Sequence, residues 1–238
     1  MEMKHLKIIR ILPFVVMALL ISMANAQIAA GVYLSDQDNT QHELKINKGY
    51  LTYSVYKLDP AEFIKTVGGF YTADEKMLKV QLEFNSNFEK DGIRALEMPF
   101  SMDGDKIIIH MEDAITFKKK ESLNQALDGQ WLFATRGPDT GQERRGDENP
   151  RKTLKFLMDG RFQWIAYQTE TMAFSGTGGG SFTSVDGVYT ENIEFFSRDN
   201  NRVGASLEFN YEIKGDDWHH TGNNSRGEPM YEIWSKRN

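Results

Sequence analysis

Between residues 206 and 213 the chain reads Ser-Leu-Glu-Phe-Asn-Tyr-Glu-Ile, polar and apolar positions in strict alternation. A period of two puts Leu207, Phe209, Tyr211 and Ile213 on one face of a strand, with Ser206, Glu208, Asn210 and Glu212 on the other. Residues 95–102 repeat the pattern with Leu96, Met98, Phe100 and Met102. Arg161-Phe-Gln-Trp-Ile-Ala-Tyr167 follows Asp159-Gly160, a hairpin signal because glycine accepts a positive φ, and Asn47-Lys48-Gly49 serves the first half in the same way. Asp186-Gly187, Asp103-Gly104 and Lys214-Gly215 mark further turns. Runs and turns together predict about eight short strands per half. They start near Gln27, Thr40, Tyr50, Gly68, Met77, Ala95, Lys106 and Ala114, then near Leu127, Lys152, Arg161, Gly178, Tyr189, Ser206, Asp217 and Met230. One stretch, Glu121 to Leu127, has a helical pattern; it is short and sits between the halves, so a linker is expected there.

The halves are copies of one another. Displacing residues 49–86 by 111 positions onto 160–197 makes ten of 38 columns identical, where unrelated segments would share roughly two. The identities are Gly49/Gly160, Tyr56/Tyr167, Phe63/Phe174, Thr66/Thr177, Gly68/Gly179, Gly69/Gly180, Thr72/Thr183, Glu83/Glu194, Phe84/Phe195 and Ser86/Ser197. A repeat this long is a duplicated domain rather than a solenoid unit. Meandering antiparallel strands with one apolar face close most economically into a barrel, which also removes exposed edges. The expected fold is therefore all-β: two tandem antiparallel β-barrels of about eight strands each, over 27–121 and 127–238, joined by a linker at 122–126. A sandwich is the competing arrangement.

The first 26 residues read as an export signal. Lys4, Lys7 and Arg10 precede an apolar stretch from Ile11 to Met23, and Ala24-Asn25-Ala26 supplies a cleavage site before Gln27. The apolar stretch is shorter than the ~20 residues that cross a bilayer, so stable membrane insertion after cleavage is not expected. The chain has no cysteine, so an exported product holds itself together by burial alone. Removing the leader leaves 25 basic against 33 acidic residues, a net charge of −8. That balance, without a basic run, argues against nucleic acid and anionic membranes. A periplasmic or secreted location is expected.

Each copy opens with Gly-x-aromatic, Gly31-Val-Tyr33 and Gly129-Gln-Trp131, and the second ends Glu232-Ile-Trp-Ser-Lys-Arg237. This resembles the lipocalin-like, or calycin, barrels of secreted bacterial proteins. The resemblance implies that Trp131 sits at a closed barrel end beneath Lys236 or Arg237, and Tyr33 beneath Lys118 or Lys119. It covers nearly all of 127–238 and a weaker version of 28–119, where Tyr33 replaces the tryptophan.

Among residues able to carry chemistry, Glu191 is the sharpest. Period two sets it on the face of Tyr189, Ile193 and Phe195, where the first copy has Val80. A carboxylate among apolar neighbours is either paired or protonated, so it is a structural partner or a functional group. Asp216-Asp-Trp-His219-His220 looks like metal-ligand material, but adjacent strand residues point to opposite faces, so no metal site is expected. The insertion Arg136 to Pro150 is expected to be either a lid or partner loop, or a solvated connector. No Ser-His-Asp order, phosphate loop or paired carboxylates point to catalysis, and no cofactor is expected. The leading expectation is a non-enzymatic carrier of a small apolar or amphipathic ligand in the second barrel, contacted by Phe162, Trp164, Glu191, Ile193, Phe209 and Tyr211. The alternative is an interaction module with filled barrels that meets a protein or glycan through its loops.

Overall fold

A computed structural model describes Ile28–Asn224 and Arg226–Arg237; the expected export signal lies outside these residues. The chain folds into two closed antiparallel barrels in tandem, each an up-and-down meander of eight strands. The first comprises β1 (Gly31–Gln37), β2 (Thr40–Asn47), β3 (Tyr50–Leu58), β4 (Ala61–Ala73), β5 (Met77–Asn85), β6 (Ala95–Asp103), β7 (Lys106–Ile109) and β8 (Ile115–Lys119). The second comprises β9 (Gly129–Arg136), β10 (Arg151–Met158), β11 (Arg161–Gln168), β12 (Phe174–Val185), β13 (Val188–Phe196), β14 (Ser206–Lys214), β15 (Asp217–Asn223) and β16 (Pro229–Lys236). β1 closes on β8 through Tyr33 opposite Lys119, and β9 on β16 through Trp131 opposite Lys236. This is the architecture that the lipocalin-like resemblance implies.

The expected turns form for the expected reason. Asp159-Gly160 and Asp186-Gly187 each place two successive residues at positive φ, which twists a two-residue hairpin the way its strands twist. Glu121 to Leu127 is not a helix: the backbone of Leu123 donates to Asp159 Oδ1, and Gln125 bridges Phe182 and Ser184 of β12. Among the described residues one short α-helix forms, Phe88–Asp91, in the first barrel between β5 and β6, and a 3₁₀ turn at Asn200–Arg202. Among the described residues, no helix is long and apolar enough to cross a membrane.

The repeated residues meet at the contact between barrels. Register slips by one residue between Gly68 and Gly69, and again between Gly179 and Gly180. A Cβ at Gly69 would stand 2.0 Å from the Gln81 carbonyl oxygen, and one at Gly180 would stand 2.0 Å from that of Asn192. Only glycine lets the neighbouring strand approach so closely. Each bulge turns the following Glu-Phe pair outward, so Phe195 leaves the face that period two assigns to it and packs on Tyr56 at 4.5 Å. The equivalent pair, Phe84 on Tyr167, stands at 5.0 Å. Phe63 stacks on its own counterpart Phe174 at 6.4 Å and 8° between planes. The reciprocity, each residue meeting its partner's equivalent, is that of an isologous dimer written into one chain.

The two halves of this interface differ in chemistry. On one side Arg161 donates to Glu43 Oε2 (2.6 and 2.9 Å), to Tyr56 Oη (2.8 Å) and to Glu194 (2.5 Å), and Lys45 also pairs with Glu43. On the other, Arg237 makes a two-pronged contact with Glu83 at 2.8 Å, and Tyr50 and Tyr167 donate to the same carboxylate. Leu154 and Phe156, the counterparts of Glu43 and Lys45, fill an apolar cluster there with Tyr50, Phe84, Leu132, Ile165 and Tyr167.

Candidate functional site

Two interiors are available, and they are chemically opposite. In the second, β10, β13, β14, β15 and β16 aim Lys155, Tyr189, Glu191, Phe209, Trp218, His220 and Trp234 into one space. Lys155 Nζ lies 2.8 Å from Glu191 Oε1, and Tyr189 Oη donates to the same oxygen at 2.7 Å. The ammonium also sits 4.9 Å from the ring centres of Tyr189 and Trp218 and 5.2 Å from that of Trp234. Glu191 is thus paired, hydrogen-bonded and 5 % exposed, and its partner sits within cation–π reach of three rings. Burial, then the adjacent carboxylate, pushes the Tyr189 hydroxyl well above the usual phenol range.

Around this pair lies polar material with fewer partners. Trp218 Nε1 and both ring nitrogens of His220 are buried without a hydrogen-bond partner. The nearest carboxylate oxygen to His220, on Glu232, is 3.6 Å away, beyond hydrogen-bond range. Burial and then the Lys155 charge push His220 down to about 4, so it is neutral at physiological pH.

The structure brings Phe162, Trp164, Ile193, Phe209 and Tyr211 into this same cluster, as their alternation predicts. It leaves little room beside them. Gly178, where the first copy has Val67, does not leave a gap: a Cβ there would lie 2.7 Å from Trp164 Nε1 and 2.9 Å from Phe196. The larger Trp164, replacing Tyr53, occupies that room. Trp131 is anchored by its Nε1 donating to the Leu127 carbonyl (2.9 Å), and Tyr33 by its hydroxyl donating to that of Ala29 (2.7 Å). Lys236 lies over Trp131 at 5.9 Å. Arg237 does not share that role: as the next residue along it faces the opposite way, onto Glu83, Tyr50 and Phe70 of the first barrel. His219 and His220 likewise diverge, His219 bonding to Tyr231 at 2.7 Å outside the cluster. Among the described residues no group of three histidine, aspartate or glutamate side chains is placed to hold a metal.

The first interior is apolar. Leu44, Leu78 and Val80 occupy the columns of Lys155, Tyr189 and Glu191, and all three belong to the hydrophobic core. A depression descends into this barrel between Leu96, Met98 and Met111 at its rim and Leu44, Leu51 and Phe117 at its foot. The whole depression, rim to foot, is narrow, about 30 Å³ and room for roughly one water molecule, and is lined almost wholly by apolar side chains. It shares Tyr53, Val67, Leu96, Met98 and Met111 with an outer groove of about 420 Å³, where Lys65, His110 and Asp91 add polar groups. Sequence reasoning did not single out this depression because it followed the polar interior residue, Glu191, into the other barrel. The signal was present in the column pairing Leu44 with Lys155: where the second copy has a charge to match Glu191, the first has none.

No family model matches the chain, and no curated protein matches it.

Proposed function

We propose that this is an exported, non-enzymatic lipocalin-like protein that binds a small apolar or amphipathic molecule, and that the mouth of the first barrel is its ligand site. The observation that carries the reading is the apolar depression bounded by Tyr53, Val67, Leu96, Met98, Met111 and Phe117. Its outer volume falls within the range of small-molecule sites, which are mostly apolar with a few polar handles. Lys65, whose ammonium lies 5.7 Å from the Tyr53 ring centre, and His110 stand where a polar head would emerge. Met98 and Met111 are unbranched and polarisable, suited to closing around ligands of varied shape. The second interior argues for support rather than binding, since Glu191 is already committed to Lys155 and Tyr189. Export follows from the N-terminal leader pattern alone.

Native mass spectrometry of the protein purified from its own host tests the reading. A retained small molecule, released on unfolding, is expected. A bare mass, together with no saturable uptake of apolar probes, would leave the interaction-module alternative standing in its place.

A further inference from the structure

The chain carries an excess of acidic residues, yet it gathers three arginines around one cleft. Arg136 ends β9, Arg151 begins β10, and Arg145 lies on the loop between them. The loop is not a free connector. The backbone N–H of Arg145 donates to the Ala134 carbonyl (2.9 Å), and the Arg145 guanidinium lies 4.3 Å from the Phe133 ring centre. Arg144, the next residue back, is tied to Asp139 at 3.0 Å and to Asp217 at 2.6 Å. These contacts border a wide, solvent-open depression of about 630 Å³ lined by Phe133, Ala134, Thr135, Arg136, Glu143, Arg145, Asn149 and Arg151.

Among the described residues Arg144 has two carboxylate partners, whereas the guanidinium groups of Arg136, Arg145 and Arg151 have none within 4.0 Å. Converging like charges repel, and burial together with the Arg151 charge holds Arg145 below the ordinary arginine range. A planar guanidinium meets carboxylate or phosphate oxygens through two parallel hydrogen bonds. Apart from Phe133 and Ala134, the rest of the lining is polar, so a ligand with polar groups is favoured over one with an aliphatic tail. Glu143 accepts, Asn149 donates and accepts, and both suit hydroxyl groups.

We propose that this cleft binds an anionic, hydroxyl-bearing solute, a uronate or a sugar phosphate, whose charge is held by Arg145 and Arg151. The site is separate from the mouth of the first barrel and stands whether or not that mouth takes a ligand. It was hidden in the sequence because positions 136, 145 and 151 form no basic run; the hairpin assembles them.

Calorimetric titration of the full chain at low ionic strength, with glucuronate, glucose 6-phosphate, inorganic phosphate and glucose, tests the site. Saturable binding of glucuronate or glucose 6-phosphate is expected, with neither glucose nor inorganic phosphate matching it; whichever anion binds identifies a carboxylate or a phosphate ligand. Arg151→Gln, at an exposed position, is expected to weaken that binding about tenfold or more, and Arg145→Ala at least as much. Absence of saturable binding to both anionic sugars overturns the proposal, as does affinity unchanged in Arg151→Gln. Equal affinity for inorganic phosphate and glucose 6-phosphate overturns the assignment of a sugar ligand.

Discussion

Lys155 and Glu191 replace a leucine and a valine of the first copy, and each is tolerable only with the other. Removing one partner of a buried ion pair strands the remaining charge, a loss of roughly 3–5 kcal/mol, whereas an apolar replacement of both is often neutral. Lys155→Leu is therefore expected to lower the urea stability of the protein by about that amount. Lys155→Leu with Tyr189→Phe and Glu191→Val, which restores the first copy's chemistry, is expected to recover most of the loss. Additive losses in the combined variant would mean that the pair does something other than satisfy itself. His220 sets a pH limit of its own. The unfolded histidine takes up a proton near pH 6.5, but the folded one does so only near about 4. As pH falls through that window the unfolded state binds the proton first, so stability is full above about 6.5 and declines towards 4, by about 3 kcal/mol in all. Urea midpoints measured across this range should fall in the wild type and flatten in His220→Phe; parallel slopes would count against the assignment.

At the scale of the strand, compensation between neighbours decides what each copy holds. Gly178 and Trp164 fit together in the second barrel as Val67 and Tyr53 do in the first. Gly178→Val alone should overpack β12 against the indole, at a loss of about 1–3 kcal/mol, and Trp164→Tyr added to it should relieve the strain in a double-mutant cycle. A cycle with no coupling would refute the pairing. The strands themselves were readable, because alternation and Asp-Gly turns are local signals: most observed starts fall within a few residues of those expected. β4 begins at Ala61 rather than Gly68, since its first turn is alternation-poor and is held by pairing with β3. The face of Phe195 was misread for a different reason. Period two assumes an unbroken pleat, and the bulge at Gly179 and Gly180 reverses it, which only the two glycines hinted at.

At the scale of the molecule, the identities between copies record an interface rather than a ligand site. Tyr56/Tyr167, Phe63/Phe174, Glu83/Glu194 and Phe84/Phe195 lie where the barrels meet, and Ser86 and Ser197 each accept the backbone N–H of the matched threonine at 2.9 Å. Glu43 is fully buried there. Burial favours its neutral form, but Arg161 and Lys45 more than offset this and hold its carboxyl down at about 2. Arg161→Leu should thus cost roughly 3 kcal/mol or more, and Glu43→Leu together with Lys45→Phe added to it, giving the residues found at Leu154 and Phe156, should recover part of that loss. Calorimetry of the wild type is expected to give one cooperative transition; two separate transitions would mean that the barrels are energetically independent. The division of labour between barrels, one apolar inside and open at its mouth, the other wired internally, is the central claim. Its most direct test is titration with the neutral fluorophore N-phenyl-1-naphthylamine in the wild type, in Val67→Phe and in Phe209→Leu. One saturable site is predicted, weakened about tenfold or more by Val67→Phe and unchanged by Phe209→Leu in a protein that remains folded. Binding that survives Val67→Phe and is lost in Phe209→Leu would move the ligand to the second barrel and contradict the account.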